Sequence, residues 1–169
     1  MKILITGSKG QLGTELLNQL KFFKLKENLK IITPAKNELN LSNLKLCEDV
    51  VKDYAPDILI NLAAYTAVDK AEIDINNARK INALALESFS NAIKSSKGHI
   101  IQISTDYVFN GEQRSPYKTY QERAPIGIYG KTKAEGEFFL EKILNETNQF
   151  TIIRTSWLVS PWRNNFVKT

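Results

Sequence analysis

The sequence alternates short apolar runs with longer amphipathic segments, and this alternation limits the possible folds more than any other feature. The apolar runs have the length of buried strands: Lys2–Thr6, Lys30–Thr33, Asp57–Leu62, His99–Ser104 and Phe150–Thr155. The amphipathic segments predict helices: Gln11–Phe23, Asn43–Tyr54, roughly Ala71–Ser95 and Tyr129–Thr147. Because crossovers between parallel strands are right-handed, we predict an α/β fold, a doubly wound parallel sheet with helices on both faces.

Composition fits one domain and excludes several functional classes. The 169 residues are 43% hydrophobic and 24% charged, as in ordinary globular proteins. One cysteine, Cys47, and one histidine, His99, allow neither an internal disulfide nor a zinc site of the usual kind, and we predict no metal. We interpret Cys47 as an inert core thiol.

Charge and hydropathy bear on partners and location. The net charge of +5 is weak evidence for nucleic acid binding, and we interpret the Lys-rich and aromatic segment 21–30 as a helix end with a solvated basic face. No apolar stretch is long enough to cross a bilayer. We therefore expect a cytoplasmic protein that binds neither nucleic acid nor membrane.

A glycine-rich loop follows the first predicted strand and opens the first predicted helix. Its spacing is G-x-x-G-x-x-G, from Gly7 through Gly10 to Gly13. Gly7 permits a tight turn, Gly10 lets the backbone approach a pyrophosphate, and Gly13 lets helix and strand pack closely. The helix N-terminus at Gln11 and Leu12 offers free N–H groups to phosphates. The sequence therefore predicts a Rossmann-like site for a dinucleotide cofactor.

The end of the second predicted strand bears on which nicotinamide dinucleotide is bound. The acidic residue that holds the ribose hydroxyls of NAD is missing from Thr33-Pro34-Ala35-Lys36, and Glu38 comes slightly later. Lys36 suits a 2′-phosphate better, which favours NADPH over NADH. A solvated loop lysine is an equally good interpretation of Lys36.

Three side chains carry the predicted chemistry. Thr105 ends the fourth predicted strand, and the loop Asn110–Gly127 leads the chain to Tyr129, with Lys133 one helical turn further on. A nearby ammonium lowers the pKa of a phenol and makes it a better general acid at neutral pH. Tyr129 would then protonate a ketone that receives a hydride, and Thr105 would bind the carbonyl oxygen.

These features together resemble the extended short-chain dehydrogenase/reductases and, more narrowly, the dTDP-4-dehydrorhamnose reductase family. The resemblance is carried by segments spread over the whole chain: GSKGQLGTEL, PDILINLAAYTAVDKAE, INALAL, STDYVFNG, PYKTYQERAPIGIYGKTKAEGE and RTSWLVSPWRNNFVKT. AAYTAVDKAE and STDYVF are the specific ones, because the glycine loop and the Tyr/Lys pair identify only the superfamily.

The resemblance implies reduction of the 4-keto group of dTDP-4-dehydro-L-rhamnose, with Thr105, Tyr129 and Lys133 as the catalytic residues. It implies cofactor contacts from Ala63, Ala64 and Tyr65 and from the positions of Asn40 and Leu41, together with Tyr129 and Lys133. It places around the sugar nucleotide Thr66, Val68, Asp69, Thr105, Tyr107 and Trp157. Asn82 would be a structural polar group behind the site. From spacing alone, Asp69 is only an exposed helix start.

Two departures from the family pattern affect these implications. Asn40 stands where the family usually has an aspartate, which weakens the expected adenine contact. Family members also continue well beyond this length. We therefore expect residues 1–169 to be the NAD(P)-binding domain of a longer reductase, with most of the sugar-nucleotide site and a possible homodimer contact in the remainder.

Two other functional classes stay open at this point. The non-catalytic beta subunit of methionine adenosyltransferase is similar to this family and is a partner protein, although the intact Thr105, Tyr129 and Lys133 argue against that role. A nucleotide-sugar epimerase or dehydratase is the other alternative. The dehydratases use an acidic pair beside the strand-end threonine, and here Asp106 is followed by Tyr107. Trp162 either covers a ligand or only packs.

Overall fold

The computed structural model describes residues 1–22 and 29–168. Within these residues the strands are β1 (Lys2–Thr6), β2 (Lys30–Ile32), β3 (Ile58–Asn61), β4 (His99–Thr105) and β5 (Phe150–Thr155). The α-helices are α1 (Gln11–Phe22), α2 (Leu44–Tyr54), α3 (Val68–Ala71), α4 (Ile75–Arg79), α5 (Ala85–Ser96) and α6 (Ile128–Leu144). A π-turn (Lys80–Leu84) joins α4 to α5, and 3-10 turns follow β4 (Asp106–Val108) and α6 (Asn145–Thr147).

The strands form one parallel sheet in the order β2-β1-β3-β4-β5. The order reverses between β1 and β3, and ligands of open α/β sheets bind outside the carboxyl ends of the strands at such a point. This confirms the predicted Rossmann-like α/β fold and fixes where a cofactor crevice must open.

The two faces of the sheet are covered differently. Right-handed crossovers put α1 on one side and α2, α5 and α6 on the other, where α5 packs against both of its neighbours. We call the side of α2, α5 and α6 the covered face; it contributes Leu59 and Ile100 to the hydrophobic core. We call the opposite side of β3, β4 and β5 the open face. It includes Ile101 and Ile153, and Ile153 is 42% exposed.

Most predicted element boundaries are confirmed to within two or three residues. Asn43 is the N-cap of α2, where its Oδ1 accepts a hydrogen bond from Leu46 N at 3.1 Å. β2 ends at Ile32, before Thr33 and Pro34, because proline has no N–H for the sheet. The predicted helix end at Phe23 and most of the basic segment 21–30 lie outside the described residues.

The single predicted helix Ala71–Ser95 is wrong in its first part. α3 ends at Ala71, residues 72–74 form a turn, and helix resumes at Ile75. Ile73 in that turn is 86% exposed, so its apolar side chain does not mark a buried helix face. The π-turn at Lys80–Leu84 then adds a wide turn that a 3.6-residue pattern does not show.

Candidate active site

The glycine loop forms a tight cradle between the ends of β1 and β3. Gly7 has a φ of +65°, and its carbonyl accepts a hydrogen bond from Gly10 N at 2.9 Å. A Cβ added at Gly7 would lie 2.6 Å from Ala63 N, and one added at Gly13 would lie 2.4 Å from the Gly7 carbonyl oxygen. These two glycines are therefore required by space. α1 starts at Gln11, so its free N–H groups lie at this cradle.

A row of buried polar side chains supports the crevice from the covered face. Thr6 donates to Asn61 Oδ1 at 2.5 Å, and Asn61 Nδ2 donates to Gln102 Oε1 at 2.7 Å. Ala63 N donates to Thr6 Oγ1 at 3.2 Å, which ties the segment after β3 to β1. The row thus crosses three strands and fixes the backbone of Ala63, a predicted cofactor residue.

The predicted nucleotide-end residues lie after β2. Lys36 is exposed, and Leu41 is buried. Asn40 is half-buried, and its Oδ1 accepts a hydrogen bond from Ser42 N at 3.0 Å. Glu38 accepts a hydrogen bond from Ala35 N at 2.7 Å, so this carboxylate is engaged within its own turn. Lys36 is therefore the exposed cation of this turn.

Asn82 joins the segment after β3 to the active-site helix. Its carboxamide accepts from Tyr65 N at 2.9 Å and donates to the Tyr65 carbonyl at 3.1 Å. It also donates to Thr132 Oγ1 at 3.2 Å, and Thr132 donates to the Tyr129 carbonyl at 2.9 Å. A Cβ at Gly136 would lie 2.3 Å from the Asn82 carbonyl oxygen, so glycine permits this close approach. Ala64 and Tyr65, half-buried, lie on the segment held in this way.

The fold brings the three predicted catalytic residues to one edge of the sheet. Thr105 is the last residue of β4 and is buried, and the half-buried Tyr129 lies in the first turn of α6. Lys133 is buried one turn later, and its Nζ donates to the Ile103 carbonyl at 2.7 Å. This hydrogen bond fixes the Lys133 ammonium to the main chain of β4.

Electrostatics at this edge differ from the simple expectation for a Tyr/Lys pair. Burial raises the pKa of the Tyr129 phenol; the Thr105 hydroxyl opposes the rise, and Asp106 and Tyr107 add to it. Burial lowers the pKa of Lys133 to about 8, although the Glu137 carboxylate opposes that change. The expected lowering of the Tyr129 pKa by Lys133 is therefore not the net result here, and this role of Lys133 stays a prediction.

The predicted sugar-nucleotide residues are less closely grouped. Tyr107 is 46% exposed, and its ring makes an edge contact with Tyr129 at 5.6 Å between centroids. Thr66 and Asp69 are exposed and Val68 is half-buried, all following β3. Trp157 follows β5 and is 68% exposed, with its ring 4.8 Å from that of Phe166. These residues share the carboxyl edge of the sheet with Tyr129.

Helix α6 begins without a side-chain cap of its own. Glu72, just after α3, accepts a hydrogen bond from Ile128 N at 2.7 Å and so caps α6 from another element. The contact sets the start of the helix one residue before Tyr129.

Trp162, whose role was open, donates from Nε1 to Glu15 on α1 at 2.7 Å and is 38% exposed.

A buried ionic cluster behind the site was missed by sequence reasoning. Glu137 of α6 is fully buried and accepts two hydrogen bonds from Arg154 of β5, at 3.0 and 2.6 Å. Arg123, from the loop before α6, reaches both Glu137 and Glu141, with contacts of 2.6 to 2.9 Å. Burial would raise the pKa of Glu137, but hydrogen bonds from Arg154 and Arg123 hold that pKa below its usual value.

This cluster ties the loop that delivers Tyr129 to the body of the fold. Arg154 also donates to the Thr119 carbonyl at 2.8 Å and lies over the Phe109 ring, 5.1 Å from its centroid. Phe109 in turn stacks on Tyr117 at 4.3 Å. The spacing of Glu137 one turn after Lys133 was the only sequence signal for this cluster, because its arginines come from distant segments.

Over the described residues, no group of three or more His, Cys, Asp or Glu side chains is arranged to hold a metal ion. None of the helices in the same part of the chain is both long and apolar enough to cross a membrane. Cys47 is a buried free thiol, and burial raises its pKa to about 12.

Comparison with known proteins gives consistent matches. Residues 1–169 match the family model described as RmlD substrate binding domain. The chain is 35% identical over 168 residues to the dTDP-4-dehydrorhamnose reductase of Aggregatibacter actinomycetemcomitans, a match covering 99% of this chain and 55% of that protein. The chain therefore spans little more than half the length of such relatives.

Two solved structures agree with the fold over almost the whole chain. A dTDP-4-dehydrorhamnose reductase from Clostridium acetobutylicum ATCC 824 is 42% identical with a TM-score of 0.89, covering 99% of this chain and 57% of that one. The enzyme from Bacillus anthracis str. Ames, solved in complex with NADP, is 38% identical with a TM-score of 0.89 and the same coverage.

Proposed function

Because this chain belongs to the dTDP-4-dehydrorhamnose reductase family, we propose that the protein reduces the 4-keto group of dTDP-4-dehydro-L-rhamnose to give dTDP-L-rhamnose, with NADPH as reductant. The observation that carries this proposal is that Thr105, Tyr129 and Lys133 lie at the carboxyl edge of the sheet, the same edge at which the glycine loop follows β1. The chain covers 55% to 57% of its relatives' length, so the proposal concerns a reductase of their length.

The crevice fits a nicotinamide dinucleotide. Gly7 and Gly13 let the loop pack tightly against the segment after β3 and against itself, which sets the loop geometry typical of a pyrophosphate-binding turn. The N-terminus of α1, at Gln11 and Leu12, would hold the pyrophosphate, and Lys36 the 2′-phosphate. The NADP complex of the Bacillus anthracis relative supports NADPH for this chain. NADH remains the alternative, since the charge of Lys36 is the main local argument for the phosphate.

The protein's side chains would then manage the proton and the developing charge. When bound, the reduced nicotinamide supplies the hydride. Tyr129 donates its proton to the ketone oxygen, and burial favours the protonated phenol by raising its pKa. Thr105 donates a hydrogen bond to the same oxygen, where negative charge develops. Lys133 stabilises the phenolate that Tyr129 becomes.

The sugar nucleotide would lie along the same edge of the sheet. Its proposed contacts share that edge with the catalytic residues: Thr66, Val68, Asp69, Thr105, Tyr107 and Trp157. The T-shaped contact of Tyr107 with Tyr129 supports its place next to the reacting centre. An exposed Trp157 supports a stacking role, because an amphipathic ring beside a ligand crevice can cover a base or sugar.

The decisive experiment is a spectroscopic assay of the full-length reductase with dTDP-4-dehydro-L-rhamnose. Reduced nicotinamide should be consumed, and Tyr129→Phe should lower kcat by about 10²- to 10⁴-fold, the usual contribution of a general acid. Tyr120→Phe is the matched control, since Tyr120 is 86% exposed on the preceding loop. Equal rates for the two variants would refute the role of Tyr129.

The preference for NADPH over NADH is tested separately by substituting Lys36. Lys36→Ala should raise KM for NADPH by roughly 10-fold and leave KM for NADH nearly unchanged, because only the first carries the 2′-phosphate. Lys52→Ala, on α2, serves as a control for the loss of one positive charge. Equal effects on the two cofactors would show that Lys36 is a solvated loop residue.

We also propose a division of labour within the longer protein. Residues 1–169 would form the NAD(P)-binding part, fold without the remainder and show little turnover. Part of the sugar site and any homodimer contact would lie beyond them. We expect a cytoplasmic enzyme, which cell fractionation would test, and sedimentation of the full-length protein would test dimerisation.

A further inference from the structure

The carboxylate of Asp106 contacts the catalytic Thr105 but has no part in the proposed mechanism. Asp106 directly follows Thr105 and opens the 3-10 turn after β4. Thr105 Oγ1 donates to Asp106 Oδ1 at 3.1 Å, and Ser156, just after β5, donates to Asp106 Oδ2 at 2.8 Å. The carboxylate therefore lies between the ends of two neighbouring strands, with both oxygens engaged.

The hydrogen bonds of Thr105 determine what it can offer to Tyr129. A hydroxyl has one proton and two acceptor positions. The proton of Thr105 is directed to Asp106, and Tyr107 N donates to the same hydroxyl oxygen at 3.2 Å. One acceptor position remains. While this arrangement lasts, the Thr105 proton is held by Asp106. The same hydroxyl lowers the pKa of the Tyr129 phenol when it donates to that phenol instead.

We propose that Asp106 is a positioning residue that withholds the Thr105 proton and so keeps Tyr129 protonated until a ketone binds. This inference rests on the proposed reductase function. The ketone oxygen and the Asp106 carboxylate are alternative acceptors for the Thr105 proton. Binding of the ketone transfers that hydrogen bond to the oxygen on which negative charge develops.

Among the residues that the structure describes, few charged or titratable groups lie near the Tyr129 phenol. Asp106 and Tyr107 face the phenol from the turn after β4, and Lys133 follows it on the same helix. Glu72 accepts a hydrogen bond from the backbone N–H of Ile128, next to Tyr129.

Charged groups from other elements that pack on α6 pair farther along the helix. Arg79 of α4 pairs with Glu135, and Arg154 pairs with Glu137. Among these charged groups, Asp106 is therefore the one that acts on the phenol itself.

The role can be tested without turnover. Carbon-13 NMR of tyrosine labelled at Cζ follows each phenol through its titration in the 169-residue chain, and Tyr129→Phe assigns the signal. In Asp106→Asn the titration midpoint of Tyr129 should shift to lower pH, and in Asp106→Ala further, because the charge and then the competing acceptor are removed. Asp53→Asn on α2 should leave it in place.

Two further variants keep the test decisive. Asp106→Glu retains the charge, so its midpoint should stay closer to that of the unaltered chain than the midpoint of Asp106→Asn does. Tyr65 is the internal reference for an intact fold, since its hydroxyl pairs with Asp74 at 3.1 Å, away from β4. A Tyr129 midpoint that is unchanged or higher in Asp106→Asn, with Tyr65 unperturbed, would overturn the proposal.

The full-length enzyme gives the second measurement. A general acid works while protonated, so reduction slows as pH rises through the pKa of Tyr129. In Asp106→Asn this decline should begin at lower pH, and kcat on the alkaline side should fall roughly 2- to 10-fold. Absence of turnover in the unaltered reductase would refute the proposed function, whereas an unshifted profile would refute only the role of Asp106.

Discussion

The covered and open faces of the sheet have similar sequences but very different surroundings. Ile100 and Ile101 are neighbours in β4, yet Ile100 is fully buried under the helices and Ile101 lies on the open face. The polar row under Ala63 and the cluster around Glu137 both belong to the covered side. The site is therefore supported from one face, while Ile153 on the open face is 42% exposed.

The largest expected effect concerns the buried charge of the covered side. Glu137→Gln leaves Arg154 without its buried partner and should lower the free energy of unfolding by about 3–5 kcal/mol. Glu135→Gln is the matched change on the same helix. Its pair with Arg79 is partly exposed, so that variant should lose only about 0–1 kcal/mol. Urea unfolding of both variants at neutral pH makes the comparison.

The Glu137 carboxylate also predicts that the folded chain loses stability at acid pH. The pKa of Glu137 is lowered in the folded chain, so its contribution is complete above the unfolded value of about 4.3 and is lost as pH falls through the folded value. Glu137→Gln should therefore be less sensitive to pH below about 4.3 than the unaltered chain. Parallel loss of stability in both proteins over that range would contradict this assignment.

The next effect compares the same residue type on the two faces. Ile100→Ala should cost about 2–5 kcal/mol because it leaves a cavity among the core side chains. Ile101→Ala removes the same atoms from a partly solvated position and should cost less than half as much. Denaturant midpoints at equal m-values measure the difference. Equal costs would show that the open face is better packed than its exposure indicates.

The smallest effect concerns the open face alone. Ile153→Thr should change the stability of the 169-residue chain by no more than about 1 kcal/mol, because this side chain is already 42% exposed. It should reduce binding of an apolar fluorescent dye to that chain. A reductase of its relatives' length should bind little dye. Strong dye binding to both lengths would show that the additional length does not cover the open face.

The sequence predicts the strands and the catalytic edge well, for an identifiable physical reason. The run Lys2–Thr6 is apolar because β1 is buried on both of its sides. Parallel connectivity then brings Thr105 and Tyr129 to one edge of the sheet. The juxtaposition of these residues follows from topology and did not require knowledge of side-chain contacts.

The features that sequence did not predict depend on contacts between distant segments. Arg123, Glu137 and Arg154 each resemble surface charges in the sequence, because buried arginine and glutamate are uncommon unless paired. Their pairing requires the positions of a loop, a helix and a strand. The hydrogen bond from Thr105 to Asp106 is equally invisible, since adjacent residues can orient in many ways at the end of a strand.

The π-turn at Lys80–Leu84 makes chain length between α4 and α5 a determinant of the site. Removing one residue there would restore ordinary helical winding and rotate α5 by about 100° relative to α4. The Asn82 carboxamide would then swing away from Tyr65, and the link to Thr132 would be broken. Apart from Asn82 itself, we expect functional relatives to tolerate substitutions along this stretch far more readily than single-residue insertions or deletions.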